Sequence, residues 1–199
     1  QRHVFDNLMD EETRNKTVAF EGIYPTTPVC GGLMVQTDCG HTVVNYPKVL
    51  KYGLKAIKED VIYHKKQTEE MYCFDRKAKL AEYEAMIISL DAAMAYSKRY
   101  ADLARQLAEK EADETRKAEL LEIARVCEKV PAEPADSFRE AVQCIAFIHI
   151  LCWCEVLNVS LSFGRVDQYL YPYYKKSVLD LKEITEEEAI ELLHMWFIK

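Results

Sequence analysis

The sequence is first defined by what it lacks. There is no surplus of positive charge: 26 Lys and Arg face 33 Asp and Glu, for a formal charge of -7. A nucleic-acid surface needs a basic footprint, so that partner class is disfavoured. No apolar signal core opens the chain, which begins QRHVFDNLMDEETRN. The longest apolar run, Cys144 to Cys154, contains a histidine and is too short to cross a bilayer. The expectation is a soluble, cytoplasmic protein with neither a membrane nor a nucleic-acid partner. H-E-x-x-H, the P-loop and G-x-G-x-x-G are also missing, which removes the common zinc-protease, nucleotide and dinucleotide signatures. Seven cysteines are present, but none form a C-x-x-C pair. On a helix, Cys152 and Cys154 would point about 200° apart. Cys73, Cys127, Cys144, Cys152 and Cys154 therefore read as small hydrophobes in a reducing compartment. Cys30 and Cys39, in a glycine-bearing loop, read as more exposed.

What is present is a hydrophobic fraction of 49%, enough to bury a core. Residues 1–46 are a loop and short-strand segment: glycine and proline punctuate GIYPTTPVCGGLMVQTDCGHTVVNYP. Region 47–130 carries long helices. Asn45 can cap the first, with Pro47 in its first turn and Val49, Leu50, Leu54, Ile57 and Val61 at helical spacing. Gly53 interrupts that pattern, a sign of close packing, at a helical cost of ~1 kcal/mol relative to Ala. A second helix is predicted over 75–111, antiparallel to the first, and a third over 114–129, stopped by the prolines of VPAEP.

Region 131–199 holds a helix buried nearly all round, a short strand and a distinctive motif. The helix opens on a capping box, Ser137 with Glu140, and runs through Phe138, Ile145, His149 and Trp153. NVSLSFG alternates apolar and hydroxyl positions as a strand does. Thr185 and Glu188 repeat the capping-box grammar before a last helix. The chain starts with Gln and stops an amphipathic helix on its apolar face, so a piece of a longer polypeptide is expected.

Several groups could carry chemistry. ELLH, Glu191 to His194, has the E-x-x-H spacing of di-iron bundles, but it occurs once, and such bundles need two with further carboxylates. Asp60 and His64 form an i, i+4 pair on a charge-rich face. His149 can be a general base, or a core histidine whose ring nitrogen meets a carbonyl. Tyr169, Tyr171, Tyr173 and Tyr174 suit packing better than base stacking in an acidic chain. His41, in a loop of small polar residues, suits acid/base or hydrogen-bonding work. Asn158, Ser160 and Ser162 share one strand face, lining a polar cavity or bonding across a sheet.

FREAVQCIAFIHIL, NVSLSFGRVDQYLYPYYKK and ITEEEAIELLHMWFIK, together with GHTVVNYPKVLKYGLKAIKEDV and ARVCEKVPAEPADSFREAVQ, resemble the large domain of glycyl radical enzymes of the pyruvate formate-lyase type. The resemblance runs from about Gly31 to Lys199. It implies that residues 1–199 are part of one such domain, from its N-terminal half. The implied fold class is α/β, a ten-stranded barrel wrapped in helices, with this piece mostly helical and carrying a few short strands. The implied chemistry is cleavage or elimination on a small-molecule substrate by a thiyl radical: a diol dehydratase or C–X lyase, or a formate acetyltransferase-like transferase, in an anaerobic cytoplasm. The implied cofactor is a glycyl radical, installed by a radical-SAM activating enzyme on a C-terminal region absent from this chain. The G-C-x-E and R-V-x-G-Y strings that carry the radical cysteine and glycine do not occur here, so the piece alone should be inactive. Other implied partners are the rest of the parent chain and a second subunit in a homodimer.

By the same resemblance His41 and Ser160 are substrate-binding. Asn158 and Val159 replace a common Gly-His, and Phe163 a common proline. SFGR stands nearer the formate-lyase form and DQYLYPYY nearer the dehydratase branch. In the structural motif Ser162, Gly164, Arg165 and Asp167, glycine would permit a turn. Arg165 and Asp167 would fix it by charge-assisted hydrogen bonds. The rival reading, from another class, is a free-standing helical interaction module.

Overall fold

The computed structural model describes residues 10–12, 15, 42–155 and 161–198. Two compact units partition the chain, one of residues 1–42 and 153–161, the other of 43–152 and 162–199. Most described residues belong to the second unit, to which the following account of packing applies.

Its helices are α1 (Tyr46–Glu70), α2 (Arg76–Lys110), α3 (Glu114–Lys129), α4 (Phe138–Glu155, whose last turn enters the first unit), α5 (Val166–Tyr174) and α6 (Glu186–Ile198). A π-helical turn, Lys175–Asp180, follows α5. The described part is thus mostly helical, as expected. No strand occurs among the described residues. Their single β pairing is an isolated parallel bridge between Val43 and Ser162.

α1 and α2 pack antiparallel. Lys58 pairs with Asp91 at 2.6 Å, and Lys65 with Glu84, so positions that rise along one helix fall along the other. α3 returns along α2 after a loop of residues 111–113. The facing surfaces use small residues: Ala101, Ala104 and Ala108 on α2 and Ala124 and Cys127 on α3 are all buried. Small side chains let the two backbones approach closely, and their burial supplies the adhesion.

Gly53 departs most from the sequence reading. It is not a helical residue bearing a propensity cost, because its φ of 74° and ψ of 163° break α1 outright. Segment 131–135 docks into the break. Leu54 N–H donates to Pro131 O at 2.8 Å, Lys55 N–H to Ala132 O at 3.0 Å, and Ala135 N–H to Leu50 O at 3.0 Å. The broken helix thereby recovers partners for groups that would otherwise be buried and unpaired. A Cβ on residue 53 would lie 2.5 Å from Ala132 O. The close packing expected at this glycine is real, and backbone is what packs there.

The start of α4 is the best-anchored point of the unit. Ser137 Oγ accepts from Glu140 N–H at 3.2 Å, half of the expected capping box. The Glu140 carboxylate reaches Asp136 N–H at 2.8 Å instead of the cap residue itself. Its side chain is only 3% exposed, and it also meets Arg125 at 2.8 Å and Lys129 at 2.7 Å. Burial alone would raise its pKa, but the Lys129, Asp136 N–H and Arg125 bonds outweigh burial and hold it below the usual carboxylate range. Ser177, buried in the π-turn, accepts from Phe138 N–H at 3.1 Å and donates to Glu183 at 3.0 Å, so another orphan donor of α4 is satisfied from the far end of the chain. At α6 the capping box is reciprocal: Thr185 N–H to Glu188 at 2.7 Å and Glu188 N–H to Thr185 Oγ1 at 3.2 Å.

α4 is not buried along its whole length. Burial is nearly continuous only to Ile148; Ile150, Trp153 and Cys154 are exposed. Cys154 is therefore not the buried small hydrophobe expected. The tyrosine-proline run lies within α5. Pro172 there has no N–H to offer the carbonyl four residues back, and the chain passes directly into the π-turn.

Two outcomes test these anchors in denaturant titrations. Gly53→Ala should destabilise by at least about 2 kcal/mol, since it adds both positive-φ strain and a backbone clash. A gain in stability, as for a glycine in an ordinary helix, would refute the break. Glu140→Gln should cost about 2 kcal/mol at pH 7 through lost charge-assisted bonds. Because the folded pKa is depressed, this contribution is full above the unfolded carboxylate range and disappears as pH falls through the folded value. The gap between variant and parent should accordingly begin to narrow near about pH 4 and go on closing as pH falls further.

Candidate functional site

The bridge between Val43 and Ser162 gathers the residues that matter. Each bridge residue is followed by an aromatic side chain that enters the core: Tyr46 three positions on, Phe163 immediately. Tyr46 is 1% exposed, and its hydroxyl lies 2.9 Å from His149 Nδ1, reaching from the start of α1 to the middle of α4. Phe163 stacks on the His149 imidazole, with centroids 4.0 Å apart and planes at 26°, and meets Trp196 of α6 edge-on at 4.6 Å. Tyr169 packs 5.9 Å from Tyr46 and donates its hydroxyl to Phe163 O at 2.8 Å. Aromatic pairs at such distances add to plain area burial, and each buried hydroxyl here has a partner.

Burial moves the titrating groups of this cluster. It lowers the His149 pKa, since the imidazolium is disfavoured away from water. It raises those of Tyr46, where Cys152 and Tyr169 add to the effect, and Tyr169, the latter pushed up to about 12. His149 is thus neutral at physiological pH and Tyr46 keeps its proton. His149 Nδ1 meets the hydroxyl of a tyrosine 103 positions away, a contact that the sequence did not announce.

Beside the cluster lies an open groove of about 590 Å³, walled by Val43, Asn45 and Pro47 on one side and by Phe163, Arg165 and Gln168 on the other. Asn45 is committed, its Oδ1 accepting from Lys48 N–H at 3.2 Å as the cap of α1. Gly164 adopts φ 70°, and a Cβ there would come within 3.0 Å of Val43 Cγ1. The turn it makes is not fixed by charge. Arg165 and Asp167 are exposed and enter no ion pair among the described residues. Val166 N–H to Gly164 O at 3.1 Å, Gln168 N–H to Arg165 O at 3.0 Å and the Tyr169 hydroxyl hold the turn instead.

His41, Asn158 and Ser160 lie outside the described residues, as do Cys30 and Cys39; Ser162 is described, exposed, and paired with Val43. Glu191 and His194 are both exposed on α6. His64 Nε2 lies 3.4 Å from the Asp60 carboxylate on the exposed face of α1. The pairing of Tyr46 with His149 is the site feature that sequence reasoning missed. Only the aromatic between Asn45 and Pro47, at a position where the helix should already be capped, could have drawn attention to it.

The pyruvate formate lyase-like family matches residues 2–199, and the chain belongs to that family. Among its relatives is the isethionate sulfite-lyase of Nitratidesulfovibrio vulgaris, 41% identical over 77% of this chain and 19% of the relative. Another is the trans-4-hydroxy-L-proline dehydratase of Clostridioides difficile, 38% identical over 100% of this chain and 24% of that protein. A crystal structure of a glycyl radical enzyme from Archaeoglobus fulgidus is similar at 32% identity with a TM-score of 0.75, over 97% of this chain and 26% of that one. The chain thus spans between about a fifth and a quarter of the length of these relatives.

If Arg165 neither pairs nor packs, Arg165→Ala should shift stability by less than about 0.5 kcal/mol. Calorimetry would then place its Tm within about 2 °C of the parent. A larger drop would restore the charge-fixed turn.

Proposed function

We propose that this chain is part of a glycyl radical enzyme of the dehydratase or C–X lyase branch, acting on a small hydroxylated or sulfonated substrate, and that it supplies wall rather than radical. The observation that carries the reading is the Val43–Ser162 bridge, viewed together with family membership. It joins the two segments that directly follow His41 and Ser160. In sequence, His41 and Ser160 each stand two residues before a bridge partner. In this reading the histidine approaches the substrate and the serine bonds a substrate hydroxyl.

In this reading the radical sits on none of the described residues. Cys144 and Cys127 are 1% and 2% exposed, with thiols pushed up to about 12 and about 11 by burial, and such sealed thiols suit packing. Gly53 and Gly164 are held in backbone turns. No radical step is therefore assigned to these residues. When present, a glycyl radical would supply hydrogen abstraction through a cysteine, and both groups would belong to polypeptide beyond these 199 residues. Family membership supports the finer parts of the reading: a barrel completed by that polypeptide, a radical-SAM activating enzyme as partner, and an anaerobic cytoplasm. Among the described residues no helix is long and apolar enough to cross a membrane.

The test uses the full-length parent enzyme, activated anaerobically and offered isethionate, trans-4-hydroxy-L-proline and glycerol. A glycyl radical signal by electron paramagnetic resonance with turnover of at least one substrate is expected. His41→Ala and Ser160→Ala should each lower kcat/KM by about a hundredfold, as removing a charge-assisted or neutral hydrogen bond to the reacting group does. A parent gene encoding no G-C-x-E or C-terminal glycine loop, and yielding no radical, would favour a helical interaction module instead.

A further inference from the structure

The reading above leaves open what holds the two substrate-facing segments at a fixed separation. One bridge pair is a weak fastener, since isolated strand pairing is marginal in water. The described residues contain a much stronger one immediately behind it. Val43 is three residues from Tyr46, which is tied back to its own segment by Tyr46 N–H to Val44 O at 2.8 Å. Ser162 is one residue from Phe163. Both aromatics converge on His149: Tyr46 through its hydroxyl at 2.9 Å, Phe163 through a stacked face at 4.0 Å. α4, which presents that imidazole, is the helix with the most completely satisfied start, so the imidazole is offered from a rigid element.

We propose that Tyr46 and His149 are positioning residues: their hydrogen bond, with Phe163 stacked on the imidazole, sets the spacing of the two segments that the Val43–Ser162 bridge joins. The inference rests on the reading that His41 and Ser160 contact substrate. Each stands two residues before a bridge partner, and two residues of chain reach at most about 7 Å. Whatever fixes the bridge also fixes Val43 and Phe163, which wall the groove described above. Misplacement of a binding group by about 1 Å is enough to lower turnover markedly.

The test uses the activated full-length parent with whichever of isethionate, trans-4-hydroxy-L-proline or glycerol it turns over. Tyr46→Phe keeps the ring and its packing but removes the bond, and His149→Leu removes the partner. His149→Gln retains an amide oxygen able to accept from the tyrosine. Tyr46→Phe and His149→Leu should raise KM about tenfold with a smaller effect on kcat, leaving the glycyl radical signal per subunit unchanged. His149→Gln should recover KM to within about threefold of the parent. A Tyr46→Phe enzyme with parental KM and kcat would overturn the positioning role, and so would a His149→Gln enzyme no better than His149→Leu, while the functional reading would survive either result. A wild-type parent without radical or turnover would instead remove that reading, and this inference with it.

Discussion

The main unit depends on a backbone break at Gly53. There α1 gives up its own hydrogen bonds and accepts a foreign segment in their place, with Leu54 and Lys55 donating to Pro131 and Ala132 and Leu50 accepting from Ala135. No other residue type could stand at that point without a Cβ entering the docked backbone. The consequence extends along the chain. The docked segment leads directly into Asp136 and Ser137, and so to the buried Glu140 that organises the beginning of α4. α4 in turn carries His149 to the hydroxyl of Tyr46, at the head of the same α1. Helix, docked segment and second helix close a loop of contacts, in which each satisfies polar groups that another leaves open.

This closure explains why so many tyrosines gather near one glycine turn. Among the described residues the turn at Gly164 has no ionic brace, and rings pack around it instead. Tyr169 bonds the Phe163 carbonyl while Phe163 lies against His149 and Trp196. An aromatic brace is less sensitive to salt than exposed ion pairs, which contribute little and are screened.

Much of the helical architecture was legible from one-dimensional pattern. The periodic apolar residues over 76–110 and the prolines after Lys129 place α2 and α3 within a residue of their observed ends. Ser137–Glu140 and Thr185–Glu188 mark the starts of α4 and α6 because capping is a local interaction. The resemblance carried by SFGRVDQYLYPYYKK and FREAVQCIAFIHIL led to the family. Arg165 and Asp167 form no ion pair among the described residues, since charge at a turn does not by itself bring a partner within reach. Cys154 and Trp153 looked interior for a similar reason: helical spacing gives a face, not where along the helix its cover ends.

The sequence alone settled where α2, α3, α4 and α6 begin and that the chain is acidic, because propensity, capping and composition act between near neighbours; its motifs already resembled the family it joins. Tertiary structure alone decided that Gly53 breaks α1 rather than merely weakening it, and that Glu140 serves two cations and a backbone N–H at once. It alone paired Tyr46 with His149 across 103 positions. Those outcomes turn on which distant groups lose water together, and burial is a property of the packed chain that no local stretch contains.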